Sequence, residues 1–220
     1  MQTSADRDGP TVQAAATGRK AAQRKASTKA LMNVALSKFI SKGYNATSVE
    51  EIAAGAGLTK GAVYFYFKSK ANLLHALLDE AERLIVDPSI VALRRGDGTP
   101  RDRLVAFLHS QSQAGLRNSE WMMLIILMSV ELHGHDDPTE KRLLQISDRM
   151  KSTLFEIISA GLKDGTFTSA RSAPELVTVI FGVNQGCFLE WYRFGDKLDG
   201  QALVRALRTT VLHGVLPHPE

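Results

Sequence analysis

A chain of 220 residues, 44% of them hydrophobic, can bury a substantial core, and its length suits one small domain plus one larger one. Its single cysteine, Cys187, excludes an intramolecular disulfide, and its longest apolar run, residues 121–128, falls far short of the roughly 18 to 20 residues that span a bilayer. The net charge of +4 hides an asymmetry: residues 17–70 hold ten Lys and Arg against two Glu, a net +8, so the remainder carries −4. A positive amino-terminal lobe on a mildly acidic body is the electrostatic footprint expected for phosphate binding.

Residues 1–23 are rich in Ala, Thr, Gln, Gly and charge without an apolar period, and read as a disordered basic arm. Arg19, Lys20, Arg24 and Lys25 are either solvated there or reach the minor groove of DNA. Leu31, Val34, Ala35 and Phe39 then predict a helix from about Ser27 to Lys42, with Gly43 as its stop. Thr47 and Glu50 have capping-box spacing, which starts a second helix at about Ser48 and aims Val49, Ile52 and Ala53 inward. Gly55 and Gly57 end it. Thr59 caps a third helix, anchored by Val63 and Phe67, which leaves Lys60, Gly61, Tyr64 and Tyr66 outward or along its edge. Two short helices about a glycine turn meet the demands of a helix-turn-helix.

Ser69 opens a fourth helix carrying Leu73, Leu74, Leu77, Leu78, Ala81 and Leu84. Pro88 and the loop from Gly96 to Pro100 punctuate the chain, and Leu104, Phe107 and Leu108 begin the next apolar face. From Ser119 the sequence SEWMMLIILMSVEL is apolar nearly all round, which predicts a helix buried on all sides. HGHDDP breaks it, and a long helix from about Thr139 to Lys163 follows. Pro174 starts another through Trp191, and a last runs from about Gly200 to Val215. The fold class is all-α: a three-helix DNA-binding domain with a helix-turn-helix over 24–70, then a larger helical domain over 71–220 that begins with the fourth helix.

The run TSVEEIAAGAGLTKGAVYFYFKSK, residues 47–70, resembles the DNA-binding domain of the tetracycline-repressor (TetR) family. The agreement covers Thr47, Ile52-Ala53, Ala56-Gly57, Gly61, Val63-Tyr64, Tyr66-Phe67 and Ser69-Lys70 in order. GLKDGTF at 161–167, Pro174, Gly182 and Gly186 resemble the family's carboxy-terminal half more diffusely. The resemblance implies that the larger domain over 71–220 is the ligand-binding and dimerisation domain and that its first helix is the linker. It also implies that Lys60, Gly61 and Tyr64 meet base edges or nearby backbone, and that Thr47, Tyr66 and Lys70 grip phosphates. The chemistry agrees: lysine donates to guanine, glycine lets backbones approach, and hydroxyls at helix starts, Ser48 and Thr59 among them, suit phosphate oxygens. Burial of Tyr64 between helices is the competing reading for that residue.

In the family the body encloses an effector, which by resemblance places Trp121, Met122, Ile125, Met128, Glu131, Phe155, Phe181, Gln185, Phe188 and Tyr192 near a cavity. Methionines adapt to varied apolar shapes, so a hydrophobic ligand is expected, with Glu131 and Gln185 to orient it. Plain core is the alternative for each residue. One recognition helix reads few base pairs, so a homodimer on an inverted repeat is expected. Its interface candidates are Val179, Val183, Leu189, Leu203, Leu207 and Val211, again with intrachain core as the alternative.

His133, His135, Asp136 and Asp137 carry metal-ligating atoms, but their composition reads as a solvated turn. Cys187, in an apolar helix, reads as core rather than as a nucleophile. No catalytic residue, metal or cofactor is expected. The sequence predicts a cytoplasmic, ligand-responsive transcriptional regulator that binds double-stranded DNA at a palindromic operator, represses, and is released by a small effector. A helical carrier or enzyme with a basic lobe, or an activator, is the alternative.

Overall fold

The computed structural model describes residues 10–94 and 98–214, with side chains except at 10–16 and Asp196. Within these residues every regular element is helical: α1 (Pro10–Lys42), α2 (Val49–Gly55), α3 (Lys60–Phe67), α4 (Lys70–Ala81), a π-helical segment (Glu82–Val86), α5 (Asp87–Arg94), α6 (Pro100–Arg117), α7 (Ser119–Glu131), α8 (Pro138–Asp164), α9 (Ala173–Phe194), a 3₁₀ turn (Gly195–Lys197) and α10 (Gly200–His213). The chain divides into two compact units between Leu74 and His75, within α4.

In the first unit α1, α2 and α3 share a core of Leu31, Ala35, Phe39, Val49, Ile52, Ala53, Val63 and Phe67, all buried. Close packing is concentrated at Gly55, where a Cβ would fall 2.8 Å from a Val34 methyl, so the end of α2 rests directly on α1. Gly57 takes φ +65 in the turn, a conformation that costs a side-chain-bearing residue energy.

Two expectations are corrected here. α1 begins at Pro10 rather than near Ser27, so the part of the expected disordered arm from residue 10 onward is helical. Residues 1–9 lie outside the described residues. Ala14, Ala15, Ala16, Ala21, Ala22 and Ala26, with Lys and Arg between them, supply helix propensity without an apolar stripe, and the helix there is exposed from Thr17 to Ala26. The second correction is the start of α2. Ser48, not Thr47, is the N-cap: its Oγ accepts from the Glu51 N–H at 3.1 Å, and its own N–H donates to the Glu51 carboxylate at 3.0 Å.

The second unit packs α6 and α8 against α5, α7, α9 and α10. Pro88 does not break the chain as expected. It sits in the first turn of α5, where its missing N–H and bulky ring are accommodated by the wider π turn before it, in which the Asp87 N–H bonds the Glu82 carbonyl five residues back. Glu82 is buried and pairs with both Arg142 and Arg149, which also reach Asp79 and Asp87 at 3.0 and 2.9 Å. α7 is buried along Met122–Ile126 and at Met128, as its composition predicts. Gly165, at φ +81, ends α8, and Phe167 folds back onto Gly161, where its ring occupies the space of a Cβ. Gly96 and Asp97 of the expected loop, and Val215 of the expected last helix, lie outside the described residues.

Candidate nucleic-acid interface

The short helix α3 begins with Thr59, whose hydroxyl accepts from the Ala62 N–H at 3.3 Å. Val63 and Phe67, one turn apart, are buried, and this sets the rotation of the helix. Lys60, Gly61, Tyr64 and Phe65 are consequently exposed, with Tyr66 half-buried. Phe65 is 64% exposed, an unusual position for a large apolar ring, and packs edge-on to Tyr66 with centroids 5.0 Å apart. It was not singled out from the sequence, although its position two residues from each anchor places it on the opposite face.

Gly61 has no role in internal packing. A Cβ built there meets nothing closer than the Thr59 hydroxyl at 3.7 Å, and the residue is exposed. The bare backbone therefore leaves room on the outside of the helix, as close approach to another molecule requires. Lys60 stands beside it. Its ammonium is 2.6 Å from the Glu50 carboxylate and 5.9 Å from the centre of the Tyr64 ring. The hydrogen bond from Lys60 holds the Glu50 carboxyl below its ordinary range, and the same pairing raises the Lys60 ammonium. Lys68 closes α3 at φ +70, a left-handed conformation that lysine rarely takes, with its side chain exposed.

Two of the expected phosphate contacts are placed differently. Thr47 is buried, and its hydroxyl donates to the Gly43 carbonyl at 2.7 Å, so it braces the α1–α2 turn. Lys70 is half-buried: its ammonium donates to the carbonyls of Tyr44 and Thr47, at 2.9 Å each, and lies 4.2 Å from the centre of the Tyr44 ring. Both side chains act on the same turn, a tertiary role that residue type cannot reveal. Ser48 and Thr59 are exposed but serve as the caps just described.

The predicted effector residues differ in burial. Met122, Ile125, Met128 and Phe181 are buried, Trp121, Glu131 and Gln185 half-buried, and Phe155 and Tyr192 are exposed at the surface. Phe188 does line a narrow pocket of about 20 Å³, together with Leu116, Cys187, Trp191 and Val204. Burial pushes the Cys187 thiol up, which keeps it protonated. Of the predicted interface residues, Leu207 and Val211 are buried within the chain, and Leu203 lines the same pocket as Phe188, because α10 turns that stripe toward α6 and α9. Val179 and Val183 are exposed on α9, and Leu189 is half-buried. The His133 to Asp137 segment is organised as a helix start: Asp137 caps α8, and the Glu140 carboxylate accepts from the Gly134 and Asp136 N–H groups.

A sequence profile described as "Bacterial regulatory proteins, tetR family" matches residues 31–77. The crystal structure of the MbdR regulator from Azoarcus sp. CIB is 36% identical, covering 87% of this chain and all of its own, with a TM-score of 0.78. AcrR, an HTH-type transcriptional regulator of Shigella flexneri, is 29% identical over 185 residues, 80% of this chain and 85% of its own. The HTH-type transcriptional repressor KstR2 of Mycobacterium tuberculosis is 27% identical over 195 residues, 84% of this chain and 90% of its own. A capped helix-turn-helix that presents a bare glycine, lysines and aromatic rings, carried on an all-helical chain with these relatives, has one reading: the chain belongs to the TetR family of transcriptional regulators.

Proposed function

We propose that this regulator is a homodimeric repressor that reads a palindromic operator through α3 and releases it when a small, neutral, largely apolar effector enters the second unit. The observation that carries the DNA-reading part is Gly61. Its Cβ position is open and exposed, so nothing inside the protein requires glycine there, while Lys60, Tyr64 and Phe65 on the same short helix and Lys68 at its end offer donors and flat rings. Lysine suits guanine edges and phosphates, and aromatic faces suit thymine methyls and sugars. Thr47 and Lys70 act indirectly in this reading, as braces of the turn that positions α2 and α3.

The dimer rests on α9. Val179, Gly182, Val183 and Gly186 are all exposed at helical spacing, and a Cβ at either glycine would meet nothing within 4 Å. Val179 is 60% exposed. An exposed stripe of this kind suits a second copy of α9 crossing closely on a two-fold axis. The two arms of an inverted repeat then each receive one α3. α4, within which the division between units falls, is the element through which effector binding reaches the DNA-binding unit.

Selection from a randomised duplex pool with the purified chain tests this function. A single enriched inverted repeat is expected, bound about 1,000-fold or more tighter than bulk DNA. Binding without site preference would remove the regulator reading. Val179→Asp, which places a charge on the proposed interface, is expected to yield monomers in sedimentation and to lose the palindrome's affinity while retaining helical content.

A further inference from the structure

Among the described residues, Asn184 Oδ1 is the buried side-chain atom without a hydrogen-bond partner. Asn184 is 1% exposed, on the inner face of α9. Its amide ends a chain of bonds that runs through Gln111 to Ser89. The Ser89 hydroxyl donates to the Ile85 carbonyl at 2.8 Å, lies 3.2 Å from the Ser110 hydroxyl, and accepts from Gln111 Nε2 at 2.6 Å. Gln111 thereby presents its Oε1 to Asn184. Asn184 in turn must give its Nδ2, at 3.3 Å, which leaves Oδ1 as an open acceptor. Leaving such a group unpaired in the interior is costly.

One turn along the same face of α9 come Cys187 and Phe188, and after another turn Trp191. On α6, Gly115 follows Gln111 by one turn. The Phe188 ring rests on Gly115 so closely that a Cβ there would fall 1.6 Å from a ring carbon. Beyond this contact lies a narrow pocket, about 20 Å³ as it stands, walled by Leu116, Trp191 and Val204, and no residue lining it is charged. A hydrophobic cleft and an unpaired acceptor thus lie in one seam between α6 and α9, with a single aromatic ring seated against a glycine between them along that seam. The proposed dimer stripe is on the opposite face of α9.

We infer that this seam is the effector site, that Asn184 Oδ1 is its polar anchor, and that its ligand is a neutral, mainly apolar molecule bearing one hydrogen-bond donor, an alcohol or phenol in class. The inference rests on the reading of the chain as effector-controlled. An anionic ligand finds no counter-charge in the lining, and a ligand with acceptors alone leaves Oδ1 unpaired. Phe188 swings off Gly115, which widens the narrow pocket for the apolar body and admits the donor end toward Asn184.

Matched probes test this: 1-octanol against heptyl methyl ether, and 4-butylphenol against 4-butylanisole. Titrations follow Trp191 fluorescence in a Trp121→Phe background for the aliphatic pair, and calorimetry for the aromatic pair. The donor-bearing member is expected to bind roughly tenfold tighter, the worth of one buried hydrogen bond. Asn184→Leu should erase that preference, and Val204→Trp, which fills the pocket, should abolish binding of both members. Equal affinities, an ether preference, or a preference that survives Asn184→Leu overturns the anchor. Absence of saturable binding for both pairs, or unchanged binding in Val204→Trp, overturns the pocket. If Asn184→Leu does not fold, the wild-type preference and Val204→Trp decide between these outcomes. Duplex selection on the ligand-free protein reads the DNA-binding function separately, so the two can fail independently.

Discussion

The Lys60 ammonium lies 2.6 Å from the Glu50 carboxylate, so the cation at the start of α3 is already paired across the helix-turn-helix. Both side chains are more than half exposed, so the pair adds little to stability, and its importance is for binding. If α3 reads DNA as proposed, phosphates and base edges compete with Glu50 for Lys60, and the Glu50 charge opposes the backbone of DNA. Glu50→Gln is expected to raise DNA affinity by about two- to fivefold at low salt, with the gain shrinking as salt rises. Lys60→Ala should cost roughly 1 to 3 kcal/mol on the selected site. Fluorescence anisotropy across a salt series checks both, and a Glu50→Gln protein that binds more weakly would show that the pair orders α3 for binding.

Gly61→Ala separates stability from function. The space for a methyl group is open and the residue lies in a helix, so unfolding free energy should stay level or rise by up to about 1 kcal/mol. DNA affinity should fall about tenfold or more, since the methyl occupies the outer face that glycine leaves clear. Thermal melts and anisotropy on one sample give both numbers. A variant with undiminished affinity places the DNA elsewhere.

Lys68 holds a left-handed conformation at the end of α3. Glycine takes that conformation freely, so Lys68→Gly should stabilise the protein by about 0.5 to 1 kcal/mol. The same change removes an exposed cation beside the recognition helix and should reduce the slope of log affinity against log salt by about one unit. A loss of stability would mean that the lysine side chain, rather than its backbone, holds the cap.

Glu51 is expected to shape the acid limb of the first unit's stability. The hydrogen bond from Lys42, followed by that from the Ser48 N–H, holds its carboxyl at about 2, against an ordinary 4.5. A lowered folded value means that the stabilising contribution is complete above about 4.5 and is lost as pH falls toward 2. Glu51→Gln should flatten that part of the melting-temperature profile by lowering the neutral plateau, where the cap and ion pair are lost, while leaving the value near pH 2 nearly unchanged. A wild-type profile that is already flat between those values removes Glu51 as the controlling group.

Much of the first unit is legible in residue order, because its determinants are local. Val63 and Phe67 at helical spacing, Thr59 before them and Gly57 in the turn predict α3 and its outward face, and the structure places all four accordingly. The α2 cap illustrates the limit of such reading. Thr47 and Ser48 are both good caps with a Glu three residues on, and the choice between them follows from Thr47 being drawn inward by the Gly43 carbonyl. Tertiary competition decided it.

The second unit is less legible. Its helices follow from apolar periodicity, but their partners do not: Leu207 and Val211 have the same pattern whether they face their own chain or another, and burial assigns them to their own. Asn184, Gln111 and Ser89 are spread over three helices and resemble ordinary polar substitutions until packing brings them together. By itself the sequence determined the all-helical class, the helix-turn-helix and the basic lobe, since capping, propensity and charge act over a few residues. Tertiary structure decided which hydroxyl caps, which lysine is held inside, and which acceptor is left open, because those outcomes depend on contacts between residues far apart in the chain.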